Sequence, residues 1–507
     1  MQTWEAIRDE KRIEQLSRIP KPWRLQPSQS PGEDTVDVRP IVASSGILTD
    51  RELEITGDKY DATSLAAKIA RGTYTALETL CSALTEIFFA DAIDKAKELD
   101  EHFERTGKTV SPLHGLPMTF KECFHVKGYD ASNGYISRCF EPSKTTTPMI
   151  QLVEKAGAVV IAKTNVPQTM LVAGCENNVF GRTRNPVVSH LSCGGSSGGE
   201  GALSAFRGNA LGIGTDVGGS IRLPAAFNGV YGYKPSVGVL PFIGYAASGW
   251  TGVNTGIPAV LGPLAHSIRD MRLLTETVRA AQPWLFDPVV IPGIMEQPIP
   301  TPASRPIVGI LTQSGVTPHP PVLRAIQLAQ SKLDASGYIT RDFTPTCPSF
   351  TTIRDFSAPL DCKAGEPVVP SVTKFGFWDM PRKTHEEMWA WNTKKGEMQK
   401  AMLDAWQALG IDVLICPAAP HAAISPTETT KELYTVAGNA VDYPAIIMPF
   451  TSVFPAQDMK NEAFEPKDET DKSIQALFAL HIVAPRLQDA ALLRYAEELD
   501  KILNASK

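Results

Sequence analysis

The sequence predicts an α/β domain built on a largely covered sheet. Short apolar, β-branched runs recur along the chain: Ala158-Val159-Val160-Ile161-Ala162, residues 307–311 and residues 413–416. Runs of that length and composition, bounded by glycine or charge, read as buried strands. Between them lie segments whose apolar residues repeat at helical spacing. Prolines and glycines fall between the two kinds of run.

The elements follow in order. Residues 4–16 are charged with apolar positions at helical spacing, and Pro20 and Pro22 end the pattern, which predicts a helix lying on the main body. From Asp61 the helical period strengthens: Leu65 and Ile69 sit four apart and Gly72 is placed to stop the helix. A second apolar-periodic run spans residues 77–99. Pro112-Leu113-His114-Gly115-Leu116-Pro117-Met118-Thr119-Phe120-Lys121 reads as a turn feeding a short strand that ends in a lysine. Residues 282–306 hold seven prolines, so they form an extended surface connection rather than interior helix or central strand. Residues 457–472 are crowded with charge and read as a solvated loop. No internal repeat or low-complexity tract interrupts the chain.

Composition narrows the function. At 507 residues with 43% hydrophobic and 21% charged residues, the chain is ordinary for a globular enzyme. A net charge of −6 with scattered Lys and Arg gives neither a nucleic-acid face nor a polybasic membrane tract. The charged opening lacks the apolar core of a secretory signal, and no apolar run approaches the roughly 18 residues of a spanning helix. A cytoplasmic protein with a small-molecule partner is expected. The eight cysteines are widely spaced, without Cys-x-x-Cys, and are expected as free, buried thiols. No two histidines stand at metal-ligand spacing, so no metal or cofactor is expected.

The most informative stretch is 192–224. It holds two serine-bearing glycine runs, Gly194-Gly195-Ser196-Ser197-Gly198-Gly199 and Gly214-Thr215-Asp216-Val217-Gly218-Gly219-Ser220, both expected as turns. Glycine beside serine leaves bare amides next to a hydroxyl, the combination that acyl transfer needs. A dinucleotide fingerprint fails, because Gly212-Ile213-Gly214 is followed by Gly218 at the wrong gap. A phosphate loop fails for want of Gly-Lys-Ser/Thr. A nucleophile elbow at Ser196 matches literally and would draw on a downstream His266, His319, His385, His421 or His481, but it leaves the second run unexplained. Serine needs a neighbour to accept its proton, and Lys121, His114, His125 and His190 all lie near the motifs.

The segments 115–121, 194–201 and 214–222, with Lys163-Thr164-Asn165-Val166-Pro167-Gln168-Thr169-Met170, Gly181-Arg182-Thr183-Arg184-Asn185-Pro186 and Gly232-Tyr233-Lys234-Pro235-Ser236, together resemble the amidase signature family, and the Trp4 opening with Gly134-Tyr135-Ile136-Ser137 resembles most its fungal acetamidase branch. The resemblance implies one large catalytic domain over 61–507, a mixed sheet covered by helices on both faces, and an N-terminal helical extension over 1–60. It implies Ser220 as nucleophile, Ser196 after a cis peptide as proton relay, and Lys121 as base. Backbone amides of Val217, Gly218, Gly219 and Ser220 would form the oxyanion hole, with Met170 near the substrate. Ser197, Thr215, Asp216 and Arg222 would support the two runs, the last two as an ion pair beneath the loop. The implied reaction converts a small carboxamide to a carboxylic acid and ammonia or an amine, without cofactor, in a homodimer. Such a lysine must be desolvated and without a carboxylate partner, with Glu122 turned elsewhere. A non-catalytic scaffold of the same fold would have no need of Lys121, Ser196 and Ser220 together. The chain departs from the acetamidase pattern at 361–366, which is shortened, and at 473–477.

Overall fold

The computed structural model describes residues 2–24, 36–71, 85–246, 256–296, 305–312, 317–344, 365–375, 384–426, 434–454, 458 and 476–505. Gly72, residues 77–84, 297–304 and 361–364, nearly all of the charged 457–472 loop, residues 473–475 and Cys81, Cys347 and Cys362 lie outside them.

Twelve strands are described: β1 (Pro117–Lys121), β2 (Val159–Thr164), β3 (Glu176–Asn177), β4 (Gly181–Arg182), β5 (Leu211–Asp216), β6 (Tyr231–Lys234), β7 (Val260–Ala265), β8 (Val308–Ile310), β9 (Thr340–Asp342), β10 (Val413–Pro417), β11 (Ala445–Ser452) and β12 (Leu477–Val483). Ten form one sheet in the order β2-β1-β5-β7-β6-β11-β12-β10-β8-β9, and β3 pairs with β4 apart from it. The sheet is mixed. β2, β1 and β5 run parallel, as do β10, β8 and β9, while the central pairs are antiparallel. Every residue of β1, β2 and β10 is buried, as expected of strands covered on both sides.

The alternation of side chains along a strand explains the two helical layers. In β12, Phe478, Leu480 and Ile482 pack into the core that holds Leu492, Ala496 and Leu499 of the helix Asp489–Leu503. The intervening Leu477 and Ala479 pack with Leu223, Ala226 and Phe227 of the helix Arg222–Asn228. β11 alternates likewise, with Ile446 and Met448 on the first side and Ile447 on the second. Helices therefore cover both faces of the sheet, as the sequence predicts.

Local differences from the sequence reading have local causes. Gly214, Thr215 and Asp216 are not a turn but the end of β5, pairing with Gly262, Leu261 and Val260 of β7. Only from Val217 does the chain leave the sheet. Gly198 and Gly199, likewise, open the helix Gly198–Ala205. In the expected 77–99 run the described helix is Phe89–Thr106, ended by Gly107 in the left-handed region at φ 64°. The Pro-rich connection begins with a 3₁₀ turn, Pro283–Leu285.

The helix Trp4–Ser17 is capped by Thr3 and docks through Trp4 and Ile7 against Ile136 and Val179. Its Lys11 is buried at 2% exposure, with Nζ 2.8 Å from Glu14, 2.6 Å from Glu86 and 2.7 Å from Asp130. Burial opposes the ammonium charge, but Glu86, Asp130 and Glu14 more than offset it and hold its pKa above the usual lysine range. Lys11→Met should strand Asp130 as a buried carboxylate without a cation among the described residues, and leave Glu86 with Arg18 alone. The expected cost is about 3–5 kcal/mol in urea unfolding, and a loss below about 1 kcal/mol would show that the anchor is dispensable.

Candidate active site

β1 and β5 are parallel neighbours, so their carboxyl ends open on the same edge of the sheet. Lys121 ends β1, and Thr215 and Asp216 end β5. The Lys121 side chain is wholly buried, and its Nζ lies 2.7 Å from Ser196 Oγ and 2.8 Å from Thr215 Oγ1. It makes no ion pair among the described residues. Burial pushes its pKa down to about 8, so a minor neutral fraction exists near neutral pH and grows as pH rises. Glu122 turns to the other side of β1, where it accepts from the Ser132 amide and hydroxyl, each at 2.9 Å, and from Thr85 Oγ1 at 3.0 Å.

Ser196 follows a cis peptide from Gly195. A Cβ on Gly195 would lie 2.1 Å from the Gly174 carbonyl oxygen and 2.6 Å from that of Val172, both backbone, so glycine is required there. The two serine runs are tied together directly. The Ser197 amide donates to the Ser220 carbonyl at 3.0 Å, and the Thr215 amide donates to Ser197 Oγ at 3.2 Å. Ser220 is half-buried, and its hydroxyl has no hydrogen-bond partner among the described residues.

Asp216 shapes the loop between them. Its carboxylate accepts from the Gly219 amide at 2.9 Å and the Ile221 amide at 3.1 Å, and pairs with Arg222 at 2.9 and 3.0 Å. Asn439 Nδ2 adds a donor at 2.9 Å. Against burial, Arg222 holds the Asp216 carboxyl well below the usual carboxylate range. The Gly219 amide is thus already engaged, leaving the amides of Val217, Gly218 and Ser220 without partners among the described residues. Thr435 Oγ1 donates to the Gly218 carbonyl at 2.8 Å. Met170 is buried in a turn where it and Thr169 both have positive φ, at 56° and 84°.

Several contributors had no sequence signal. Asn439 and Thr435 come from more than 200 residues downstream, as does His481, named in the sequence only as an elbow candidate and found instead 3.3 Å from Arg222. Glu200, at the back of the serine loop, accepts from Thr119 at 2.7 Å and Thr164 at 2.8 Å, while burial raises its pKa to about 8. Of the departing segments, Glu366 accepts from the Ile136 amide at 2.9 Å, and Leu477 lies in β12. The elbow geometry is absent: residues 193–197 are irregular and follow no strand, and no histidine hydrogen-bonds Ser196 or Ser220 among the described residues.

The sequence pattern of the Amidase family matches residues 71–368 of the chain. The chain belongs to the amidase signature family. Among relatives of this amidase, the acetamidase of Emericella nidulans is 34% identical over 99% of the chain and 98% of its own length. The acetamidase of Aspergillus oryzae is 33% identical, with 99% of both chains covered. In three dimensions the amidase is similar to fatty acid amide hydrolase, with a TM-score of 0.85, 25% identity, and coverage of 99% of this chain and 95% of the other. This amidase is a hydrolase of amide C–N bonds. No described helix is long and apolar enough to cross a membrane.

Proposed function

We propose that the chain hydrolyses a small carboxamide to its carboxylic acid and ammonia through an acyl-enzyme on Ser220. The observation that carries this reading is the 2.7 Å contact between Ser196 and a buried Lys121 whose pKa is lowered to about 8. In its neutral form that amine accepts a proton from Ser196, which takes one from Ser220 as Ser220 Oγ attacks the amide carbonyl. The oxyanion is received by the amides of Val217, Gly218 and Ser220. The proton on Lys121 then returns through Ser196 to the departing nitrogen, since one hydroxyl is donor and acceptor at once. Water repeats the sequence on the ester. Ser197 and Asp216, with Arg222, hold the loop, and Met170 borders the substrate. The acetamidase relatives support a short acyl group.

The test is intact-protein mass spectrometry after exposure to a fluorophosphonate. One adduct is expected, mapping to Ser220 and lost in Ser220→Ala. An adduct on Ser196 or Ser197 that survives Ser220→Ala would overturn the assignment. Amides of graded acyl length, assayed on the labelled-competent protein, then define the substrate.

A further inference from the structure

Five described cysteines are free and buried, and two of them meet. Cys175 and Cys193 form a separate apolar cluster with Ala202 of the helix Gly198–Ala205. A Cβ placed on Gly198 would lie 3.1 Å from the Cys175 sulphur and 3.0 Å from that of Cys193, so both thiols share one small space under the first turn of the helix. Cys193 also touches the Thr183 carbonyl at 3.3 Å and stands three residues before Ser196.

A separate observation places one member of the pair, Cys175, beside space for a small polar molecule. Cys175 lines a cavity of about 40 Å³, with Val172, Gly174, Thr183, Ser192, Ser371 and His421 among its walls. A water needs about 10–15 Å³ of such space, so the cavity admits a molecule the size of hydrogen peroxide. Two buried polar atoms of the wall, His421 Nε2 and Ser371 Oγ, have no hydrogen-bond partner among the described residues. His421 Nδ1 is 2.6 Å from the Ala422 carbonyl, which requires the proton on Nδ1 and leaves Nε2 an acceptor for a ligand O–H.

We propose that Cys175 and Cys193 are a peroxide-reactive dithiol whose closure to a disulfide disturbs the Ser196–Ser197 turn and reversibly silences hydrolysis. The chemistry balances with hydrogen peroxide as the two-electron oxidant. The Cys175 thiolate attacks one peroxide oxygen, an S–O bond forms, the O–O bond breaks, and the released hydroxide takes the thiol proton to leave as water. Cys193 sulphur then attacks the Cys175 sulfenic acid, the S–S bond forms, the S–O bond breaks, and a second water carries off the Cys193 proton. Burial opposes ionisation of Cys175, but its polar surroundings, Cys193, Thr183 and the Gly199 amide, outweigh it and lower its pKa, making it the attacking partner. A disulfide of about 2.05 Å must draw Cys193 away from Thr183 beneath Gly198, shifting the backbone that leads to Ser196.

The silencing step rests on the proposed roles of Ser196 and Ser220, whereas disulfide formation does not. The experiment treats the full chain with hydrogen peroxide and follows intact mass, differential alkylation, fluorophosphonate uptake and amide hydrolysis. Expected are loss of two hydrogens, a linked Cys175–Cys193 peptide, a fall in hydrolysis of about tenfold or more, and recovery with dithiothreitol. Cys193→Ala and, independently, Cys175→Ser should keep their starting rates after peroxide; the peptide mapping on wild type decides the linkage if either variant fails to fold. Both thiols remaining alkylatable, a disulfide that leaves the rate unchanged, or equal loss of activity in the two variants would overturn the proposal. Failure of reduced wild type to take the fluorophosphonate would instead overturn the Ser220 reading.

Discussion

Lys121→Met should lower kcat by about 10³-fold or more while leaving KM nearly unchanged, because in the proposed mechanism the lysine moves protons and makes no demand on ground-state binding. In the wild type kcat should rise with pH through about 8, the pKa to which burial lowers this amine. The same shift fixes the sign of a stability effect. Between about 8 in the folded chain and the ordinary 10.5 the unfolded chain binds the extra proton, so stability rises with pH across that window. Below about 8 the full cost of burying the ammonium is present, about 3 kcal/mol at 1.36 kcal/mol per unit. Lys121→Met removes this charge, so its unfolding free energy should lose the rise between pH 8 and 10. Urea unfolding at pH 7 and 10, with kcat measured across the same range, checks both. An undiminished kcat, or a profile that still rises near 8 in the variant, would remove Lys121 from the proton path.

Asp216→Ala should cost about 3–5 kcal/mol of stability, since it leaves the fully buried Arg222 without its charge partner and deprives the Gly219 and Ile221 amides of their acceptor. The folded fraction should also lose about 10²-fold or more in kcat, because the loop carrying the Val217, Gly218 and Ser220 amides is no longer held. The double variant Asp216→Ala with Arg222→Met separates the two effects. Removing the stranded cation should restore part of the stability but none of the activity. A double variant as active as wild type would show that the clamp serves stability alone.

What the sequence makes legible is local. The strand ending in Lys121, the helices after Thr3 and Asp61, and the buried runs of β2 and β10 each follow from a pattern within a dozen residues. The motifs likewise bring Lys121, Ser196 and Ser220 into view. The sheet order is another matter: β7 inserts between β5 and β6, and β12 between β10 and β11, and no local pattern encodes such crossovers. Gly214 to Asp216 were expected as a turn because glycine density masks a strand whose small residues suit a crowded sheet interior. The Gly219 amide was expected to face the oxyanion, and its bond to Asp216 is set by three-residue backbone geometry that spacing does not reveal. Asn439, Thr435 and His481 are ordinary residues in sequence, significant only because folding brings them beside residues 216–222.

That long-range clamp has a consequence for how the protein is made. A chain leaving the ribosome has already exposed Lys121, Ser196 and Ser220 long before Asn439, Thr435 and His481 emerge. Until they do, Arg222 lacks its neighbours, Gly218 lacks its Thr435 tether, and the inner strands lack β11 and β12. Contacts so distant in sequence form late. The half-made polypeptide therefore carries the three residues proposed for catalysis before the contacts that hold their loop can form.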